Sequence, residues 1–299
     1  MAKTGTKIAQ GVFKALLLAL MLAYCLSLIF TLVWMLYTSF KTEFEYIVDA
    51  FAFPKQIGKI GFSNYSEMFK IFEMKTLKNG AEVVYRFPHM FGYSLIWALL
   101  TSLVNVFFTT LVAYVVAKYK FFGRNFLYAL GIFVMITPIV GNLPSAMQVK
   151  QALGIYNNIW LTILTSPQTV FSGVHFMLMH AAFKHISWNY AEAAFIDGAS
   201  HYRVMFQIMF PLVLPTCVVL YVLNFLGAWN DYSTFIIWLP SYPTLAYGML
   251  YFQSQSSKYG ATMPVIMAGF TIVAIPNIVL YLLSQNLIMS KFSVGGLKE

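Results

Sequence analysis

Long apolar runs without a charged residue alternate with short polar links along this chain. A membrane-spanning helix needs about 20 predominantly apolar residues, and six of the runs meet that length cleanly. A seventh run, 232–257, is interrupted by Pro240, Pro243 and the polar stretch 253–257, so it is interpreted as a loop that dips toward the membrane. The six predicted spans lie in residues 15–40, 87–117, 125–149, 151–183, 204–230 and 259–290.

The composition indicates that lipid surrounds much of the protein. Of the 299 residues, 60% are hydrophobic and 10% are charged, which leaves too few polar side chains to cover a soluble globule of this length. The pattern therefore predicts an all-α, polytopic (multi-pass) membrane protein with six transmembrane helices within residues 15–290. The segment 1–14 precedes these helices, the tail 291–299 follows them, and 41–90 forms the one long polar loop.

Basic residues predict which side of the membrane each loop faces. An even number of spans places both termini on one side, and cytoplasmic loops carry an excess of Lys and Arg. With 41–90 set aside, the side that holds the termini has ten basic residues, and the other side has two, Lys150 and Lys258. Both termini are therefore predicted to be cytoplasmic and the loop 41–90 external. The formal net charge of +9 is interpreted as this topology signal and not as nucleic-acid binding.

A polar segment between two spans, residues 187–211, predicts a cytoplasmic helix-turn-helix. Ser187 is the predicted N-cap of a helix over 188–197, and Gly198 suits the left-handed residue that closes a helix. Ala199 then opens a second helix, which lies along the membrane surface until Pro211 begins the next span. The apolar positions of this second helix are Tyr202, Met205, Phe206 and Met209. Four small side chains are expected to let a partner protein approach the backbone closely, namely Ala191, Ala193, Ala194 and Ala199.

The residues of this segment follow a definite order. Glu192-Ala-Ala is followed after three residues by Gly198 and after nine more by Ile208-x-Phe-Pro211. This order resembles the EAA loop of permease subunits in binding-protein-dependent ABC importers, with Phe210 in place of the motif's leucine. Other short motifs occur in the order seen in carbohydrate importers, and the chain is most similar to the smaller six-helix permease of the maltose type. These motifs are 37–41, Asn64-Tyr65, Ala113-Tyr114, Gly123-Arg124, 228–231 and 292–297.

The resemblance implies one half of a translocation channel in the cytoplasmic (inner) membrane of a prokaryote. In that family a second, homologous permease completes a heterodimer, two ATPase subunits bind the EAA loops, and an extracytoplasmic solute-binding protein delivers the sugar or oligosaccharide. Transport proceeds by alternating access. ATP and magnesium belong to the ATPase, so no cofactor is expected in this chain. The implied ATPase-coupling residues are Glu192, Ala193, Ala194, Asp197, Gly198, Ala199 and Arg203.

Other catalytic and ligand-binding patterns are scarce in the sequence. The one Gly-Lys pair, Gly58-Lys59, lacks the Ser or Thr of a nucleotide-binding loop, so the chain is not expected to be an enzyme that hydrolyses ATP. His175 and His180 fall on different helix faces, and no metal site is predicted. The six predicted spans contain no Asp, Glu, Lys or Arg. Their absence disfavours the alternative of a secondary transporter or channel for a small polar solute. A sensor or scaffold that transports nothing is a third alternative.

Trp229, Asn230 and Asp231 follow the fifth predicted span at its external end. An aspartate suits two roles at this place, an external gate for the solute or a turn that holds the helix end. The second role is favoured.

Overall fold

The computed structural model describes residues 2–55, 62–78, 80–137, 141–166 and 173–292. The elements up to residue 164 are α1 (Ala2–Thr38), α2 (Glu43–Val48), α3 (Ser63–Ile71), β1 (Glu73–Lys78), β2 (Ala81–Arg86), α4 (Phe87–Lys118), α5 (Arg124–Ile136), α6 (Leu143–Ala152) and α7 (Ile159–Leu164). The later elements are α8 (Gly173–His185), α9 (Asn189–Ile196), α10 (His201–Arg203), a π-helical segment (Val204–Met209), α11 (Phe210–Trp229), α12 (Ser233–Ile237), α13 (Leu245–Ser254), α14 (Ser256–Tyr259) and α15 (Met263–Phe292).

These elements form two compact units. One unit consists of Met1–Phe72 with Tyr251–Ile275, and the other of Glu73–Leu250 with Pro276–Glu299. The second unit contains the predicted coupling element 187–211 and the residues Trp229, Asn230 and Asp231.

In the first unit, the turn after α1 is built around a buried lysine. Lys41 is fully buried, and its ammonium donates hydrogen bonds to the carbonyls of Asp49 (3.0 Å) and Ala50 (2.9 Å). Burial lowers the pKa of Lys41, while the nearby carboxylates of Asp49 and Glu45 act in the opposite direction. The Asn64 amide donates to the Lys41 carbonyl at 2.8 Å, which fixes α3 to this turn. The beginning of the predicted polar loop is therefore folded.

An antiparallel hairpin of β1 and β2 corrects the all-α prediction. Its register runs from Glu73 opposite Arg86 to Lys78 opposite Ala81, so two residues connect the strands. The sequence of this connection is Asn-Gly, the pair most favoured in two-residue hairpin turns, and Gly80 has a φ of +81°. β2 also contains the β-branched residues Val83 and Val84 and the aromatic residue Tyr85, which favour a strand. The sequence therefore contained a hairpin signal that the helical interpretation missed.

Four helices among the described residues are long and apolar enough to cross a membrane. They are Gly11–Thr38, Phe87–Lys118, His201–Trp229 and Met263–Asn286, and they match four of the six predicted spans. The remaining two predicted spans, 125–149 and 151–183, are each divided between shorter helices. The count of six spans therefore stays a prediction for these two stretches.

Local sequence explains why these two stretches are divided. α5 ends at Ile136 because Thr137 precedes a proline, and the residue before a proline disfavours the helical conformation. Thr137 accordingly has a ψ of 110°. The proline itself, residue 138, lies outside the described residues. Further along, Gly154 has a φ of +68°, and the Asn158 side chain caps the start of α7 by accepting from the Leu161 N–H.

The run 232–257 contains α12, α13 and the start of α14, so its interpretation as a loop is wrong between the prolines and the polar end. Pro240 and Pro243 do lie between helices, after α12 and before α13. Past them, the sequence of α13 has neither proline nor charge. Its apolar residues Leu245, Met249 and Phe252 recur at helical spacing, and all three are buried. Spacing, rather than the count of apolar residues, identifies this helix.

Candidate coupling site and polar cavity

Helix α9 contains the EAA residues and ends in a tight turn that is closed by backbone hydrogen bonds. Gly198 has a φ of +79°, as predicted. Its N–H donates to the Phe195 carbonyl at 3.0 Å, and the Ala199 N–H donates to the Ala194 carbonyl at 2.9 Å. This pair of bonds is the Schellman arrangement, which satisfies the last carbonyls of a helix and requires a left-handed residue. Glycine adopts that conformation at no steric cost.

The starts of the two helices differ by one or two residues from the prediction. Trp188 occupies the N-cap position of α9, whereas the Ser187 hydroxyl accepts from the Asn189 N–H at 3.3 Å in a local turn. Ser187 lies one residue too early to reach the second or third N–H of the helix. The next helix begins at His201 and not at Ala199, because the Ser200 hydroxyl caps it by accepting from the Arg203 N–H at 3.4 Å.

The second helix of the coupling element continues through Pro211 into α11, so Pro211 does not begin a separate helix as predicted. The π-helical segment makes this possible. Its Phe210 N–H donates to the Met205 carbonyl five residues earlier, and Pro211 has no N–H that needs a partner. The wider turn also changes the inward face, because residues five apart come closer to one side. Val204 and Met209 are fully buried, whereas Tyr202 is 76% exposed.

Two polar-aromatic contacts hold this helix-turn-helix against the end of α4. The Tyr119 hydroxyl and His201 Nδ1 are 3.0 Å apart, and the His201 ring lies 4.7 Å from the ring of Phe195. The Tyr119 ring also meets Trp188 edge-on at 5.7 Å. The Lys118 ammonium donates to the carbonyl of Ile186. No periodicity in the sequence links Tyr119 to Trp188 or to His201, because these residues lie 69 and 82 positions away.

The predicted coupling residues divide into an inner and an outer face. Ala194 is 8% exposed and, like the fully buried Ala191, belongs to the apolar core formed with Tyr114, Phe183 and Met209. The expectation that Ala191 and Ala194 are open to a partner is therefore wrong, since these alanines allow α9 to pack closely on its own chain. Ala199 is partly buried. The exposed residues of the predicted set are Glu192, Ala193, Asp197, Gly198 and Arg203.

The outer face also presents large apolar side chains that the sequence analysis did not select. Ile196 is 87% exposed, and Tyr190 and Tyr202 are exposed as well. Arg203 is held by its own helix, because its Nε donates to the Gln207 side chain at 2.9 Å. A surface with exposed apolar residues next to charges of both signs has the composition of a protein-binding patch. We call Tyr190, Ile196, Tyr202 and the five exposed predicted residues the coupling face.

Trp229, Asn230 and Asp231 form the junction between α11 and α12. Trp229 is buried, and its ring stacks on Phe225 at 5.8 Å. The Asn230 amide donates to the Leu226 carbonyl at 2.8 Å. The Asp231 carboxylate accepts from the Thr234 N–H at 3.0 Å, so it caps the start of α12. These contacts support the favoured structural role, and they hold the start of the next helix as well as the end of α11.

A cavity of about 410 Å³ lies beside this junction. Nine residues from α4, α8, α11 and the following turn line it: Trp97, Thr101, Ser102, His175, Leu223, Asn224, Gly227, Ala228 and Asp231. Trp97 Nε1, Thr101 Oγ1 and Ser102 Oγ are buried and have no hydrogen-bond partner. Leaving such a group unpaired costs about 1–3 kcal/mol, so these three groups together destabilise the fold considerably.

Residues 109–293, more than half of the chain, match the family model described as binding-protein-dependent transport system inner membrane component. The chain therefore belongs to this family of inner-membrane transport subunits. It is similar to the arabinooligosaccharides transport system permease protein AraQ of Bacillus subtilis (strain 168), with 26% identity over 80% of this chain and 79% of the relative.

Solved structures share the fold. A chain from a bacterial ABC transporter involved in the import of the acidic polysaccharide alginate superposes with a TM-score of 0.71, 19% identity, and coverage of 92% of this chain and 96% of that chain. A second match, with a TM-score of 0.52, comes from a bacterial alginate ABC transporter in complex with an alginate pentasaccharide-bound periplasmic protein. Its identity is 17%, over 78% of this chain and 85% of that chain.

Proposed function

We propose that this chain is the permease subunit of a carbohydrate importer that is driven by separate ATPase subunits. It moves a sugar or oligosaccharide across the cytoplasmic membrane by alternating access with a second, homologous permease. The family match over 109–293 carries this proposal, because the matched region includes the whole helix-turn-helix. The names of the similar proteins support the substrate class, since arabinooligosaccharides and alginate are both carbohydrates.

The coupling face is the surface that receives the ATPase. Its turn is fixed by the bonds around Gly198, and its inner side is packed on α4 and the π-helical segment. A rigid base with an exposed apolar centre suits a contact that must transmit force, because a flexible loop would absorb the motion. Ile196 forms the apolar centre, and Glu192, Asp197 and Arg203 supply charges around it. Ala194 does not face the ATPase; its small side chain allows α9 to pack closely on the core of its own chain.

An extracytoplasmic binding protein delivers the solute to this importer. The family description names such a protein, and the similar alginate transporter was solved in complex with a periplasmic protein. The loop 41–90 lies on the external side in the proposed topology, where it is available to this partner. Its folded elements are α2, α3 and the β-hairpin.

Cysteine labelling tests the topology. With Cys25 and Cys217 replaced by alanine, Lys70→Cys is expected to react with a membrane-impermeant maleimide on intact cells. Lys120→Cys is expected to react only after permeabilisation, because the excess of basic residues marks its side as cytoplasmic. Both side chains are exposed, so burial does not bias the comparison. The reverse labelling pattern would invert the proposed topology.

Reconstitution tests the function. The chain alone in proteoliposomes is expected neither to hydrolyse ATP nor to concentrate arabinotriose. Addition of the second permease, the ATPase and the binding protein should restore uptake that depends on ATP. The secondary-transporter alternative predicts the opposite, namely uptake by the isolated chain when a proton or sodium gradient is imposed and no ATP is present. That result would refute the proposed function.

A further inference from the structure

Aromatic rings pack helices α5 and α8 on each other. The ring of Tyr128 in α5 lies 4.7 Å from the ring of His180 in α8, and both rings contact Phe176, at 6.2 Å and 5.9 Å. In the proposed topology α5 begins at the cytoplasmic side and α8 ends there. The contact therefore brings the start of one helix and the end of the other to the same side of the molecule.

Each helix has a cation one turn nearer the cytoplasm than this aromatic contact. Arg124 precedes Tyr128 by four residues, so the two share a helix face, with the Arg124 backbone about 6 Å further along the axis. Lys184 follows His180 by four residues in the same way. The charges of Arg124 and Lys184 both act on the His180 ring. A guanidinium and an ammonium from two distant segments thus lie near one another.

The helices that meet here supply no carboxylate to balance these cations. After Glu82 the next acidic residue in the sequence is Glu192, so α4, α5, α8 and the turn between α4 and α5 lack Asp and Glu. The Arg124 guanidinium donates to the Tyr119 carbonyl at 3.4 Å, and a guanidinium has five N–H donors. Donors therefore remain for another acceptor. Because like charges repel, an anionic group between Arg124 and Lys184 stabilises the pair.

The turn between α4 and α5 adds exposed apolar rings next to Arg124. Phe122 is fully exposed, and Phe121 and Phe126 are 39% and 68% exposed. Lys120 in the same turn is exposed as well. Since α4 is long and apolar enough to cross a membrane, a turn at its end lies at the membrane surface. Exposed phenylalanines beside basic residues are typical of segments that insert among lipid head groups.

We propose that Arg124 and Lys184 bind the phosphodiester head group of an anionic phospholipid, such as phosphatidylglycerol, in the cytoplasmic leaflet. Guanidinium and ammonium groups are common protein partners of phosphate, and basic pockets between transmembrane helices hold anionic head groups. Lys120 adds attraction from the turn, and Phe122 inserts beside the acyl chains. These apolar contacts favour a lipid over free phosphate. The site depends on the proposed topology and not on the transport of a sugar.

Photo-cross-linking tests the proposal. The assembled importer is placed, without ATP or solute, in phosphatidylcholine nanodiscs with a trace of photoactivatable phosphatidylglycerol, and labelled peptides are mapped by mass spectrometry. Labelling is expected in 119–128 and 181–186, and excess phosphatidylglycerol should displace it whereas glycerol phosphate should not. Because the readout involves neither ATP hydrolysis nor uptake, its failure is distinguishable from failure of the proposed function.

Three outcomes of this experiment would overturn the proposal. Equal labelling by photoactivatable phosphatidylcholine would show that the site does not select charge. Displacement by glycerol phosphate would identify a site for a free phosphate compound. Absence of labelling in both segments would show that a partner subunit, and not lipid, covers this surface.

Variants assign the head group to the two cations. Lys184→Gln is expected to lower the labelling roughly fivefold, the factor that one surface Lys or Arg contributes to attraction of anionic lipid. Lys14→Gln is the matched control, because Lys14 is also an exposed lysine on the side predicted to be cytoplasmic. Arg124→Gln should lose labelling like Lys184→Gln, whereas Arg124→Lys keeps the charge and should retain most of it. Unchanged labelling in both glutamine variants of the site, or an equal loss in Lys14→Gln, would refute the assignment.

Discussion

Gly198→Val is expected to insert into the membrane but to lose ATP-driven uptake by roughly tenfold or more. A β-branched residue at a φ of +79° costs about 1–3 kcal/mol, and the helix end relieves that strain by giving up the bonds to Phe195 and Ala194. The turn then no longer holds the coupling face in one orientation. The measurement is uptake per assembled importer, together with the amount of ATPase that co-purifies with the permease.

Gly260→Val is the matched control for this variant. Gly260 also closes a helix with a positive φ, +62°, and the Ala261 N–H donates to the Ser256 carbonyl at 2.9 Å, as Ala199 does to Ala194. An added Cβ meets no atom within 4 Å at either glycine, so both variants introduce backbone strain without a clash. Gly260→Val should lose stability yet keep most of its uptake. Equal loss in both variants would show that strain alone, and not the coupling turn, explains the effect.

Ile196→Asp is expected to abolish most ATPase binding while leaving the fold intact. The side chain is 87% exposed in this chain, so the substitution costs little in folding. If Ile196 is buried by the ATPase, its loss removes about 1.5–3 kcal/mol of apolar burial, which corresponds to a roughly 10- to 100-fold weaker contact. Burial of an unpaired carboxylate weakens it further. Titration of the ATPase against the permease in nanodiscs measures the change.

Phe122→Asp provides the comparison for an exposed apolar residue outside the coupling face. Phe122 lies in the turn between α4 and α5, on the side predicted to be cytoplasmic, and its side chain is fully exposed. This variant should bind the ATPase like the unaltered chain. If Ile196→Asp also binds normally, the coupling face is assigned to the wrong surface.

The sequence predicted those parts of the site that depend on local rules. Gly198 was identified from its place after an eight- to ten-residue helix, because few other residues tolerate a positive φ. The long spans were identified from apolar length alone. Asp231 is favoured as a structural residue at the end of α11, and its carboxylate accepts from the Thr234 N–H at the start of the following helix.

The parts that were missed depend on contacts between distant residues. The pairing of Tyr119 with His201 joins positions 82 apart, and no periodicity signals it. The inward direction of Ala191 and Ala194 follows from the packing of α9 on α4 and the π-helical segment, and the outward direction of Ile196 follows from the same packing. The burial of Val204 follows from the π-helical turn, which changes the spacing of buried positions, and propensity rules describe α-helices only.

One uninterrupted helix, from His201 to Trp229, connects the coupling element to the cavity wall. Its 29 residues extend about 43 Å, more than the hydrocarbon thickness of about 30 Å. Ser200 begins it within the coupling element, and Asp231 follows it in the cavity wall. A tilt of about 10° around its midpoint displaces each end by about 4 Å, from the length alone. Motion applied at one end thus reaches the other without crossing a loop.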